Sequence, residues 1–148
     1  MDGRVRGEKK EMRAFIDGSS NGLYGYLLMP SKKLRVIQDF PCTNNQAEWL
    51  ALLTLLMDLE ADTKIQIYSD SQIVVNQLTD NWQTLDEELK HLKEVCRTLI
   101  ETKKLKIEIS WIPRNENLFG KHLDKLVGKE RRRRKKIKEE MMRESQWN

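Results

Sequence analysis

A chain of 148 residues is long enough for one domain with a real core. At 39% hydrophobic and 34% charged it reads as a charge-rich globular protein, and no apolar run approaches the roughly 18–20 residues that span a bilayer. The charge of +4 is uneven: residues 127–148 carry nine Lys/Arg against four Glu, a net of +5, which leaves −1 for residues 1–126. The high pI therefore belongs to the tail, and a polyanion partner would be attracted there first. The N-terminus is charged and lacks the apolar segment of a signal peptide, so a cytoplasmic protein is expected. Cys42 and Cys96 have no metal-ligand spacing and read as two reduced thiols.

Residues 1–11 are polar and aperiodic, a flexible N-terminal arm. Met12 to Asp17 is a short apolar run that stops at a carboxylate and gives way to the turn formers Gly18-Ser19-Ser20-Asn21-Gly22. Gly22 to Met29, ended by Pro30, and Lys33 to Phe40, ended by Pro41, complete an antiparallel meander. Thr43 or Asn44 then caps a helix whose run Ala47 to Met57 is apolar almost all round, so it is expected to be deeply buried. Glu48 is the only charge between Asn44 and Met57. It either favours the helix N-terminus or points into a site.

Thr63 to Ser69 is a second strand ending in an aspartate, Asp70. It follows a helix and so is expected to lie parallel to the first strand. Ser71 to Leu78 is a short helix, for which Ser69 or Asp70 is a possible cap. Residues 79–84 are a turn segment. Leu85 to Lys103 places apolar residues on one helical face, with His91 on the polar side. Leu105 to Ile112 alternates and stops at Pro113, a half-buried strand at or near a sheet edge. A last helix runs from Leu118 to about Leu126 and can continue into the tail. The order β-β-β-α-β-α-α-β-α predicts an α/β protein, a mixed five-stranded sheet with helices packed on it.

Asp17 and Asp70 thus end neighbouring parallel strands, and Glu48 lies in the first turns of the helix between them. Side chains at the carboxyl ends of adjacent strands converge, as ligand sites in such sheets do. A dry cluster of carboxylates repels itself unless a cation joins it, and all-oxygen ligation favours Mg²⁺ or Mn²⁺. Such ions are characteristic of phosphoryl transfer, where two of them about 3.5–4 Å apart activate water and stabilise the leaving oxygen.

Asp17-Gly18-Ser19-Ser20-Asn21-Gly22, Thr43 to Glu48, Ser69-Asp70-Ser71-Gln72 and Trp111 to Asn117 resemble, in order and spacing, the successive motifs of type 1 ribonucleases H. The resemblance covers residues 12–126, the expected domain; 127–148 is a basic, helical extension. It implies the ribonuclease H-like fold and a monomer that cleaves the RNA strand of an RNA–DNA hybrid with two Mg²⁺ or Mn²⁺ ions, leaving 3′-hydroxyl and 5′-phosphate ends. No membrane and no protein partner are implied. Asp17, Glu48 and Asp70 match the first three metal-binding carboxylates. The usual fourth position holds Lys121. Either Asp124, one turn further, supplies that charge, or Asn117 contributes a neutral oxygen; Asp124 is preferred because its charge suits a second cation. Lys121 also raises the alternative of a catalytically impaired hybrid-binding module, or offsets charge near the scissile phosphate.

The histidine that many relatives carry before the last helix is absent, and His122 is not equivalent. Residues 80–90 are acidic where others have a basic protrusion. Asn21, Asn44, Asn45 and Gln72 match positions that read minor-groove edges and 2′-hydroxyls, and Ser19, Ser71 and Arg114 are candidate phosphate contacts. Turn and capping roles explain the same asparagines equally well. The run Arg131 to Lys136 with Lys138 is either an extra clamp on the hybrid or a solvated helix.

Overall fold

The computed structural model describes residues 11–79 and 86–146. The expected N-terminal arm, Glu11 excepted, and most of the turn segment after the second helix lie outside them. The elements are β1 (Met12–Gly18), β2 (Leu23–Met29), β3 (Leu34–Gln38), α1 (Asn44–Asp58), β4 (Lys64–Ser69), α2 (Gln72–Thr79), α3 (Glu87–Thr102), β5 (Lys106–Trp111) and α4 (Leu118–Ser145). A single 3-10 turn, Arg114–Glu116, joins β5 to α4.

The five strands form one mixed sheet in the order β3-β2-β1-β4-β5. The first three pair antiparallel; β1 pairs parallel with β4, and β4 with β5. This is the expected architecture, with β5 at an edge. The central strand β1 is buried on both faces, as a strand covered by helices on each side must be. Ala14 and Ile16 join the larger core with Trp49, Leu52, Leu55 and Leu56 of α1. Phe15 points the other way, into a smaller cluster with Phe119 and Leu123 of α4.

Helix α1 is held at its start by a capping box: Thr43 Oγ1 accepts from the Gln46 N–H, and Gln46 Oε1 accepts from the Thr43 N–H. Thr43, not Asn44, is therefore the cap. Asn44 instead accepts the Ser20 N–H through Oδ1 at 3.1 Å, tying the β1–β2 turn to the helix. The apolar run is not buried all round, since Met57 is exposed. Trp49 is fully buried and donates its indole N–H to Gln77 at 3.0 Å, fastening α2 to α1.

The last two helices show how their ends are set. Helix α3 begins with Asp86 as its cap, where the carboxylate accepts the N–H groups of Glu88 and Leu89. Helix α4 continues far past Leu126, for 28 residues in all. Nothing in the tail breaks it: apart from Gly128, residues 127–145 have no helix breaker, and Glu130 pairs with Arg133 and Arg134 one turn on. Both cysteines are free thiols, and no helix among the described residues is long and apolar enough to cross a membrane.

Gly18 sets the distance between β1 and α1. A Cβ there would lie 2.3 Å from the Ala47 carbonyl carbon and 2.7 Å from the Glu48 nitrogen. Gly18→Ala is therefore expected to lower stability by about 1–3 kcal/mol or more, since the backbone itself must move, as read from urea unfolding midpoints.

Candidate active site

The junction that Gly18 permits is also where the carboxylates meet. Phe15 of β1 lies opposite Tyr68 of β4, and two residues further along each strand the same register sets Asp17 beside Asp70. Glu48 comes over the end of β1 from the second position after Gln46 in α1, with Oε1 accepting the Gly18 N–H at 3.2 Å. One oxygen from each of Asp17, Glu48 and Asp70 lies within 4.8 Å of the others. Of the two sequence readings of Glu48, the structure has the side chain pointing into the cluster.

Asp17 is 1% exposed and Glu48 7%. Asp17 Oδ1 and Glu48 Oε2 are buried without a hydrogen-bond partner among the described residues, and the buried Asp17 Oδ2 has the ion pair with Arg114 instead. Buried polar atoms are nearly always paired, so two orphaned carboxylate oxygens in one cluster with Asp70 fit a place for a cation. Burial pushes the Glu48 carboxyl well above the ordinary glutamate range, with Asp17 and Asp70 pushing further. Burial also raises the Asp17 carboxyl, against a downward pull from Glu48 and Arg114. The two titrate as a pair.

The compensating charge comes from Arg114. Its Nη1 lies 2.6 Å from Asp17 Oδ2 and donates to Asp70 Oδ2 at 2.9 Å. Its Nη2 donates to Asp124 Oδ1 at 2.6 Å and to the Gly120 carbonyl at 3.4 Å. One guanidinium thus bridges three carboxylates. It packs flat against Gly120, where a Cβ would sit 2.9 Å from Nη1. The site's pull raises the Arg114 pKa still further above its ordinary value, despite burial acting the other way. By sequence Arg114 is a candidate phosphate contact; its bridging of carboxylates, and the need for Gly120 beneath it, have no signal in sequence spacing.

Asn117 is fully buried and turns its nitrogen, not its oxygen, toward the carboxylates. Its Nδ2 donates to Asp70 Oδ2 and to the Ile16 carbonyl, both at 2.9 Å. Its Oδ1 accepts the Gly120 N–H at 3.0 Å and so caps α4. Of the two sequence options for the fourth group, Asn117 has its oxygen engaged by the start of α4 in this geometry. Asp124 stands outside the three-carboxylate cluster, with its side chain 64% exposed, and joins it only through Arg114. Lys121 is exposed on the same helix. Ser19 accepts from the Asn21 N–H, and Ser71 from the Val74 N–H, as turn and cap. Asn44 and Gln72 are exposed, and Asn21 and Asn45 are half-buried.

The RNase H family model matches residues 9–131, most of the chain. Among solved structures, the chain is similar to RNase H1 of the halophilic archaeon Halobacterium salinarum NRC-1, with 30% identity and a TM-score of 0.62, covering 73% of this chain and 89% of that one. It is similar to the N-terminal RNase H domain of Rv2228c from Mycobacterium tuberculosis, with 26% identity and a TM-score of 0.59, covering 74% and 86%. The fold of LC11-RNase H1, solved in complex with RNA/DNA hybrid, is shared at 20% identity with a TM-score of 0.69, over 79% of this chain and 99% of that one. No curated protein matches the chain. The sheet order, the carboxylate cluster and these likenesses agree: the chain belongs to the ribonuclease H family and is a type 1 ribonuclease H enzyme.

Two outcomes follow for the protein in chelator. A carboxyl whose folded pKa is raised contributes stability below its unfolded value and loses it as pH rises through the folded value. Glu48→Gln is therefore expected to raise the melting temperature of metal-free protein at pH 7, and this gain shrinks toward pH 4, near the unfolded glutamate pKa. Arg114→Ala leaves Asp17 and Asp70 uncompensated and is expected to cost about 1–3 kcal/mol in the same buffer, discounted for the partial exposure of the guanidinium.

Proposed function

We propose that this enzyme cleaves the RNA strand of RNA–DNA hybrids by hydrolysis with two divalent ions, Mg²⁺ or Mn²⁺, leaving 3′-hydroxyl and 5′-phosphate ends. The observation that supports this is the cluster of buried carboxylates, with Asp17 Oδ1 and Glu48 Oε2 unpartnered, drawn together with Asp70 from three separate parts of the chain. An all-carboxylate donor set fits hard divalent ions and not zinc. Asp17, Glu48 and Asp70 hold the ions, and Asp124 supplies the fourth carboxylate from α4. When bound, such ions activate a water and stabilise the leaving oxygen.

The chain's own residues set the geometry. Asn117 fixes the Asp70 carboxylate by donating to it, and is a positioning residue rather than a ligand. Arg114 is long and 45% exposed, so its charge can turn to a substrate phosphate once the carboxylates it bridges hold divalent ions. Lys121 offsets phosphate charge from the next turns of α4. The tie between the β1–β2 turn and the start of α1, Ser20 N–H to Asn44, holds Asn21, Asn44 and Asn45 as one polar ledge for 2′-hydroxyls. Ser19, Ser71 and Gln72 line the same strand ends as phosphate and groove contacts.

Asp17→Asn and Asp70→Asn are each expected to lower cleavage of a hybrid by about 100-fold or more, while circular dichroism shows an intact fold. A gel assay on hybrid, double-stranded RNA and single strands checks this, with Asp124→Ala alongside. Full activity in Asp17→Asn would remove the metal-site reading. Binding of hybrid without any cleavage by the unaltered chain would instead favour an impaired binding module, in which Lys121 stands for the missing carboxylate.

A further inference from the structure

Helix α4 has two unlike halves. Phe119, Gly120 and Leu123 are buried against the sheet, and Leu126 and Val127 pack on the smaller core. From Arg131 to Gln146 every residue is exposed. This second half leaves the body as a bare helical arm about 24 Å long at 1.5 Å per residue.

Seven of the eight residues from Arg131 to Lys138 are cations, interrupted only by Ile137. Because a helix turns every 3.6 residues, they surround the arm rather than line one face. Arg131 and Lys135, Arg132 and Lys136, and Arg134 and Lys138 are like-charged pairs one turn apart, and each pair opposes the helix. Among the described residues, the ion pairs in this run are those of Glu130 with Arg133 and Arg134. Glu139, Glu140 and Glu144 follow on the same arm, yet residues 131–146 keep eight Lys/Arg against three Glu, and a helix with that excess of positive charge is matched to a polyanion. The body cannot supply one, since residues 1–126 sum to only −1 and its buried carboxylates face the site.

The arm is also anchored at the site. Its helix starts at the site: Asn117 caps it and touches Asp70, and Asp124 touches Arg114. The cations at 131–138 therefore lie about 10–21 Å beyond Asp124 along the helix axis. At 3.4 Å per residue of a nucleic-acid strand, that distance is about three to six phosphates. A lipid surface would require a broad apolar stripe through the cation run, and there is only Ile137, with Met141 and Met142 further out.

We propose that the α4 arm is a second nucleic-acid contact, which grips the phosphate backbone of the hybrid about three to six nucleotides from the cleavage point. This rests on the hybrid being the substrate. The arm takes the place of the basic protrusion that the acidic start of α3, with Glu87 and Glu88 in its first turn, does not provide. It reads no sequence; it supplies affinity and salt dependence.

The test compares the full chain with a version carrying Arg131→Gln, Arg132→Gln, Arg134→Gln, Lys135→Gln and Lys138→Gln, all of which keep helix-forming side chains. Both are placed in an Asp70→Asn background so that substrate stays intact, and binding to a 20-base-pair hybrid is followed by anisotropy from 50 to 200 mM salt. The expected result is at least a tenfold weaker Kd at 100 mM and a log–log salt slope shallower by about 3 or more, at about 0.9 for each phosphate no longer neutralised. Shortening the hybrid to six base pairs, which removes most of the phosphates at that distance, is expected to shrink the difference between the two versions. With Asp70 restored, the loss in kcat/KM on the longer hybrid is carried by KM. Equal affinity and equal slope for the two versions on the longer hybrid would overturn the proposal, as would preferential capture of anionic phosphatidylserine vesicles by the arm with no effect on hybrid. If neither version cuts any hybrid but the difference in affinity persists, the hydrolase reading fails and the arm assignment stands.

Discussion

The costliest feature of this molecule is the burial of two carboxylates, Asp17 and Glu48, where α1 crosses the end of β1. Like charges brought together out of water repel, and neither can be solvated there. The surrounding scaffold keeps them in place. The closeness of β1 to α1 depends on Gly18, the angle of α1 on the Thr43–Gln46 box, and its position on Trp49, Leu52, Leu55 and Leu56 packed beneath the sheet. The stability that holds the cluster together comes from apolar burial a turn or two away from it.

Arg114 and Asn117 complete that arrangement from the far side of the sheet. One brings charge and the other brings a fixed hydrogen bond, and both sit on the short connection between β5 and α4. Because Asn117 also caps α4 and bonds the Ile16 carbonyl, the start of the last helix, the end of the first strand and the Asp70 carboxylate are joined through one side chain. A change at any of the three is felt at the others, which is how a helix remote in sequence comes to govern the carboxylate pocket.

The same helix separates the charges of the protein. Acidic groups gather at the strand ends, and cations gather on the exposed length of α4. A substrate that is itself a polyanion meets repulsion at the carboxylates unless cations intervene, and attraction on the arm. Because α4 starts against those carboxylates, through Asn117 and Asp70, and continues as the arm, one helix sets their separation.

Much of this was legible in the residues alone. Alternation, turn formers and caps determined the number, kind and order of the elements, because they act over a few residues at a time. Aspartates ending two apolar runs, with a lone glutamate on a buried helix, marked the acidic cluster, because carboxylates at such positions are costly unless they converge on something. Tertiary structure decided the rest. Which way the Asn117 amide turns depends on Ile16, 101 residues away, and which groups Arg114 bridges depends on three elements meeting. Spacing along the chain carries no record of such pairings, since they exist only once the sheet has brought the strand ends side by side.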